Sequence, residues 1–185
     1  VHHGGQPMTM FKYACHKAGI DISKIRIIDA GNGNEMDAAF RQGEGQYIHQ
    51  QGPAPQQLAA DGVGHVVAQL GPTIGACGFS SLAATPGWLE TDTAKAFTRA
   101  YIKTRDYMND ASASEIAKAE KPLFPDIDLE VLTDCIATYQ AMGCWTRHID
   151  ITQDGYNAML DIFEYDGKLP QRYSYDQVCA LPPAV

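Results

Sequence analysis

The chain has no long hydrophobic run. None of its apolar segments approaches the ~20 residues that a helix needs to span a bilayer, and no signal peptide is visible in its first residues. Apolar residues nevertheless make up 45% of the 185 positions, a share typical of a folded globular chain. We therefore expect a globular protein that is not itself inserted in a membrane.

Positive charge is also scarce. Lysine and arginine total 14 against 22 aspartates and glutamates, which gives a formal net charge of −8. Proteins whose main partner is a nucleic acid or an anionic membrane surface usually carry a basic patch, whereas here the acidic residues are dispersed along the chain. The composition thus argues against nucleic acid as a partner and indicates a solvated acidic surface.

Cysteines are few and never clustered. The chain has five, widely spaced and without a CxxC pair: Cys15, Cys77, Cys135, Cys144 and Cys179. This spacing argues against a structural zinc or an iron–sulfur cluster, and we predict no cofactor and no metal site. Cys135 and Cys144 could pair in an oxidising compartment, and buried free thiols fit the sequence equally well.

The segment of residues 1–58 contains the most informative pattern. It predicts a βαβαβα unit in which each short apolar run is followed by a polar, glycine-rich loop, at residues 3–7, 30–34 and 49–53. In an open parallel sheet, the loops at the carboxyl ends of the strands converge on one edge, where ligands bind. The sequence therefore predicts a small-molecule pocket lined by amides and backbone N–H groups.

These loops supply the predicted ligand-binding residues. Backbone N–H groups at a helix N-terminus can bind an anion, and amide side chains can both donate and accept hydrogen bonds. The candidates are Gly4, Gly5, Gln6, Asn32, Asn34, His49, Gln50 and Gln51. Glycine turns, helix caps and backbone-bonded amides remain the structural alternatives for the same residues. A metal held by His2, His3 and His49 is a further alternative.

The character of the chain changes near residue 71. Residues 77–84 are predicted to be extended, and from Pro86 onward helix-capping and apolar spacing predict helices almost to the end. The predicted fold class is α/β. It comprises an α/β ligand-binding lobe at residues 1–75 and, at residues 76–185, a crossover strand with helices that return to the first lobe.

Several local patterns, taken in order, resemble the substrate-binding proteins of nitrate, sulfonate and taurine importers, a superfamily that also includes thiamine pyrimidine synthases. A glycine-rich turn leads through a helix to Lys17-Ala18-Gly19-Ile20-Asp21. A second helix ends in Ala38-Ala39-Phe40-Arg41-Gln42-Gly43, and a polar turn runs into Pro53. Further along come Phe79-Ser80-Ser81-Leu82-Ala83 and the helix pattern Ala94-Lys95-Ala96-Phe97-Thr98-Arg99-Ala100-Tyr101.

The resemblance implies a type II periplasmic-binding-protein-like fold, with two lobes closing on a small polar or anionic organic ligand. It also implies a periplasmic location, delivery of the ligand to the membrane subunits of an ABC importer, and no catalysis. The first part of lobe one is expected to be missing, because the chain opens within a predicted strand. Many relatives carry a Trp and an acidic residue before the proline of the third loop. Gln51 and Gly52 stand there in this chain, which predicts a more polar recognition surface.

The sequence leaves two other functions open. A thiamine-pyrimidine-synthase-like enzyme would share the fold and would use His49 as its nearest candidate nitrogen donor, although the cysteine cluster of that family is missing from this sequence. A third possibility is an isolated α/β domain whose partner is another chain, paired through the exposed edge of its sheet.

Overall fold

The computed structural model describes residues 5–185, and this part of the chain is built from helices. The α-helices are α1 (Gly5–Lys17), α2 (Gly33–Arg41), α3 (Ala54–Ala60), α4 (Gly71–Ile74), α5 (Pro86–Leu89), α6 (Asp92–Asp110), α7 (Ala113–Glu120), α8 (Leu129–Ala141), α9 (Gln153–Tyr165) and α10 (Tyr175–Val178). Two short 3₁₀ turns lie at Ile22–Lys24 and Lys121–Leu123. Within residues 5–185 no helix has the length and apolar character that crossing a membrane requires.

The helix boundaries follow local signals in the sequence. Asn32 and Ser112 each form a complete capping box at the start of α2 and α7. Thr91 and Thr152 accept hydrogen bonds from the first turns of α6 and α9. These caps satisfy backbone N–H groups that have no partner within the helix, so the predicted starts of α6, α7 and α9 are confirmed.

The predicted α/β fold class is wrong. No strand and no sheet occur within residues 5–185, whereas a type II binding-protein lobe requires a central β-sheet. The segments predicted as strands at residues 24–28, 46–49 and 65–70, and the extended segment at 77–84, form no ladder with one another. An alternating apolar pattern favours an extended backbone, but a strand exists only when a neighbour accepts and donates its backbone hydrogen bonds. The strand predicted at residues 1–3 lies outside the described residues.

Two hydrophobic clusters hold the helices together. One joins α6, α7 and α8 through the buried side chains of Met108, Ile116, Ala117, Leu132 and Ile136. The other joins α1, α4 and α9 through Ala14, Ile74 and Ile162. Helices α3 and α8 also pack together. Because α1 packs on α9 and α3 on α8, the helices predicted for residues 1–75 are anchored on those of residues 76–185.

Candidate functional site

A pocket of about 180 Å³ lies where the predicted loops meet. Its lining comprises Pro7, Gly33, Met36, His49, Gln50 and Gln51. These residues come from the first turn of α1, from the start of α2 and from the loop that precedes α3. The pocket therefore contains residues from each of the three loops, and helix ends and a single irregular segment build it rather than the edge of a sheet.

Gln50 is fixed against the start of α2. Its Nε2 donates a hydrogen bond of 2.7 Å to the backbone carbonyl of Gly33. A side chain at position 33 would lie close to the same amide, with its Cβ 3.6 Å from Gln50 Oε1. This contact uses the amide nitrogen, so Oε1 keeps its capacity to accept a hydrogen bond. One of the predicted amides is thus oriented by the fold.

His49 forms a second wall of the pocket. Its ring packs on Phe11 of α1, with ring centroids 5.6 Å apart and an interplanar angle of 31°. Nδ1 is shielded from solvent and has no hydrogen-bond partner. Burial lowers the pKa of the imidazole below its usual value, because removing the ring from water penalises the charged form. His49 is therefore a neutral imidazole at pH 7.

Helix α8 holds the loop that carries His49, Gln50 and Gln51. The backbone N–H of Gly52 donates a 3.0 Å hydrogen bond to the hydroxyl of Tyr139, whose pKa burial raises. The peptide bond between Gly52 and Pro53 is cis. A Cβ at position 52 would lie 2.5 Å from Cys135 Sγ, so only a residue without a side chain fits here.

Met36 was not among the predicted site residues. Its side chain is buried at 5% exposure and contributes an apolar surface to the pocket. Its spacing along α2 predicts a residue of the buried helix face. That pattern does not distinguish a residue that lines a pocket from one that is packed in the core. Pro7 and Gly33 were missed too, because a proline at the start of a helix and a glycine in a turn are both common structural features.

The remaining predicted residues lie beside the pocket or serve the fold. Asn32 Oδ1 accepts hydrogen bonds from the N–H groups of Asn34 and Glu35, and the Asn34 side chain is exposed. Gln6 Nε2 contacts Gly78 O at 3.4 Å and Met159 Sδ at 3.3 Å. Gly5 is exposed at the start of α1, and Gly4 lies outside the described residues.

Within residues 5–185, neither metal-ligating side chains nor paired cysteines form a site. Within residues 5–185, no three His, Cys, Asp or Glu side chains lie close enough together to hold a metal ion. His2 and His3 of the proposed histidine group lie outside the described residues. The five cysteines, all within that range, are free thiols. Burial raises the pKa of Cys135 to about 11, which keeps this thiol protonated and unreactive at neutral pH.

Comparison with known proteins gives one relevant match. The chain is 28% identical over 181 residues to "Putative binding protein YtlA" of Bacillus subtilis (strain 168), and the match covers 95% of this chain. The chain spans about half the length of that relative, 53%. No family model matches the sequence, and no solved structure matches it. The similarity supports a binding function.

Proposed function

We propose that the chain is the ligand-binding part of a solute-binding protein that serves an ABC importer, and that it has no catalytic activity of its own. The ligand is a small polar or anionic organic molecule, and the protein acts in the periplasm. One observation carries this proposal: the loop that carries His49, Gln50 and Gln51 meets the first turn of α1 and the start of α2 in a single pocket, to which Met36 contributes apolar surface.

The lining has the composition of a recognition site. Ligand pockets are concave, partly apolar and supplied with a few polar groups that fix the orientation of the ligand. Met36 contributes apolar surface, while His49 and the two glutamines contribute hydrogen-bonding groups. The relative named as a binding protein aligns across nearly the whole chain, so the sequence similarity and the pocket favour the same function.

The proposal is tested by native mass spectrometry of the protein purified from its own host. We expect a single co-purifying metabolite, released on denaturation. Gln51→Ala should reduce its occupancy, because the Gln51 side chain lines the pocket but is exposed and is not needed for folding. Gln171→Ala, at an exposed position outside the pocket, is the matched control. Equal occupancy in both variants, or a chain that always purifies empty, would argue against the proposal.

A further inference from the structure

A row of aromatic side chains runs from α5 along the first half of α6. Trp88 and Phe97 are 37% and 47% exposed and meet edge to face, with ring centroids 6.1 Å apart. Phe97 and Tyr101 follow at the same centroid distance, with their rings inclined by only 17°. Exposed aromatic surface of this kind is typical of protein–protein contacts, where Trp and Tyr contribute much of the binding energy. The row is therefore a candidate interaction surface.

The row ends in a positive charge that has no carboxylate partner. The guanidinium of Arg105 lies 5.4 Å from the centre of the Tyr101 ring. Its Nε is buried without a hydrogen-bond acceptor, and none of the ion pairs within residues 5–185 includes this arginine. A guanidinium that is stacked on a ring but not paired keeps its outer N–H groups for a carboxylate, which it binds through two parallel hydrogen bonds.

The opposite end of the row carries a negative charge. Glu90 lies two residues after Trp88 and two residues before α6 begins. It is exposed, and it too belongs to none of the ion pairs within residues 5–185. A helix rises about 1.5 Å per residue, so Glu90 and Arg105 are separated by roughly 20 Å along the axis of α6.

A surface with opposite charges at the two ends of an apolar row is complementary to itself. When two copies related by a two-fold axis place their α6 helices antiparallel, the acidic end of each row meets the basic end of the other. The aromatic rings then pack in the middle. The neighbouring exposed positions of α6 also permit a close approach, because they carry small side chains: Thr93, Ala96, Ala100 and Thr104.

We infer that the chain forms a homodimer through this α5–α6 surface, in which Trp88, Phe97 and Tyr101 form the apolar centre. Glu90 of each copy pairs with Arg105 of the partner subunit. Two unpaired charges on each copy thereby become two ion pairs across the interface. None of these residues lines the pocket, so the inference stands or falls independently of the proposed function.

Sedimentation of the complete chain over a range of concentrations tests the inference. We expect the mass to rise with concentration towards twice 20.1 kDa. Glu90→Arg places two positive charges opposite each other and should weaken dimerisation at least about tenfold. Glu44→Arg makes the same charge change at an exposed position away from α5 and α6, and it should leave the dimer unchanged.

A charge exchange tests the pairing itself. Arg105→Glu should weaken the dimer as Glu90→Arg does, and the double variant Glu90→Arg/Arg105→Glu should restore it, because each ion pair is then reversed in sign. Circular dichroism checks that the variants fold, and Glu90→Arg, at an exposed position, decides the matter if Arg105→Glu does not. A chain that stays monomeric at every concentration, a dimer that Glu90→Arg leaves intact, or a folded double variant as weak as the single ones would overturn the inference.

Discussion

The hydroxyl of Tyr139 accepts a hydrogen bond from the backbone N–H of Gly52, 3.0 Å away. This contact joins α8 to the loop that presents His49, Gln50 and Gln51 to the pocket. The two residues are 87 positions apart in sequence, so the second half of the chain fixes the geometry of a site built from the first half.

Tyr139→Phe removes this hydroxyl and leaves the Gly52 N–H without its partner. We expect the free energy of unfolding to fall by about 1–2 kcal/mol, and backbone exchange at residues 50–52 to accelerate. Chemical denaturation and amide hydrogen exchange measure the two effects. Tyr107→Phe is the control, because that side chain is half-exposed. A Tyr139→Phe variant with unchanged stability and exchange would show that α8 does not hold the loop.

Gly52→Ala tests the close packing of Gly52 against Cys135 and Tyr139. The new Cβ would lie 2.5 Å from Cys135 Sγ and 3.0 Å from the Tyr139 hydroxyl. Overpacking of this kind costs roughly 1–3 kcal/mol, and we expect a lower melting temperature together with weaker ligand binding. Gly87→Ala has open space around its Cβ and should not destabilise. Equal stability of the two variants would contradict the packing described.

The ionisation of His49 gives a pH prediction. Its pKa is lowered in the folded state by burial, so the folded protein binds this proton less readily than the unfolded chain. The stabilising effect of the neutral ring is complete above the unfolded pKa of about 6.5 and is lost as the pH falls through the lower folded value. Histidine-selective NMR titration should show a depressed pKa for His49. A pKa at or above the unfolded value of about 6.5 would contradict this.

Asp166 provides a second electrostatic prediction, away from the pocket. Its side chain is only 5% exposed and binds Lys12 at 2.6 Å, Lys168 at 2.9 Å and the Thr9 hydroxyl at 2.7 Å. Burial on its own would raise the pKa, but the hydrogen bonds from these three residues outweigh it and lower the pKa of Asp166 to about 2. The cluster ties α1 to the end of α9.

A depressed carboxylate pKa stabilises the fold above the unfolded value of about 3.9, and the contribution is lost as the pH falls through about 2. Asp166→Asn should therefore cost roughly 2 kcal/mol at pH 7, and much less near pH 2. Denaturation of both proteins at the two pH values measures the difference, with the exposed Asp126→Asn as control. A cost that does not change with pH would point to packing rather than charge.

The helices could be predicted from the sequence, whereas the predicted sheet does not form within residues 5–185. Capping residues such as Thr91 and Ser112 accept hydrogen bonds from N–H groups three residues further along. The residues that define a helix start therefore lie within one turn. A strand depends on a partner elsewhere in the chain, and apolar runs such as residues 65–70 do not specify that partner. Val66 and Val67 of that run are 48% and 74% exposed.

The candidate site could be predicted from the sequence only in part. Glycine and amide residues marked the loops, so His49, Gln50 and Gln51 could be named. Gln6 and Asn32 are amides too, but Gln6 Nε2 contacts Met159 Sδ and Asn32 Oδ1 caps α2. Only the three-dimensional packing separates these uses. Tyr139 was missed for a related reason: its aromatic ring fits the helix-core pattern of α8, and its hydroxyl reaches a loop distant in sequence.

The most direct test of the account is calorimetric titration of the protein with the compound that co-purifies with it, after that compound has been removed by denaturation and refolding. The unmodified protein and Gln171→Ala should bind it with one site and equal affinity, and Gln51→Ala should bind it at least about tenfold more weakly, a loss of about 1.4 kcal/mol. Equal affinity of all three proteins would place the ligand elsewhere and contradict the assignment of this pocket.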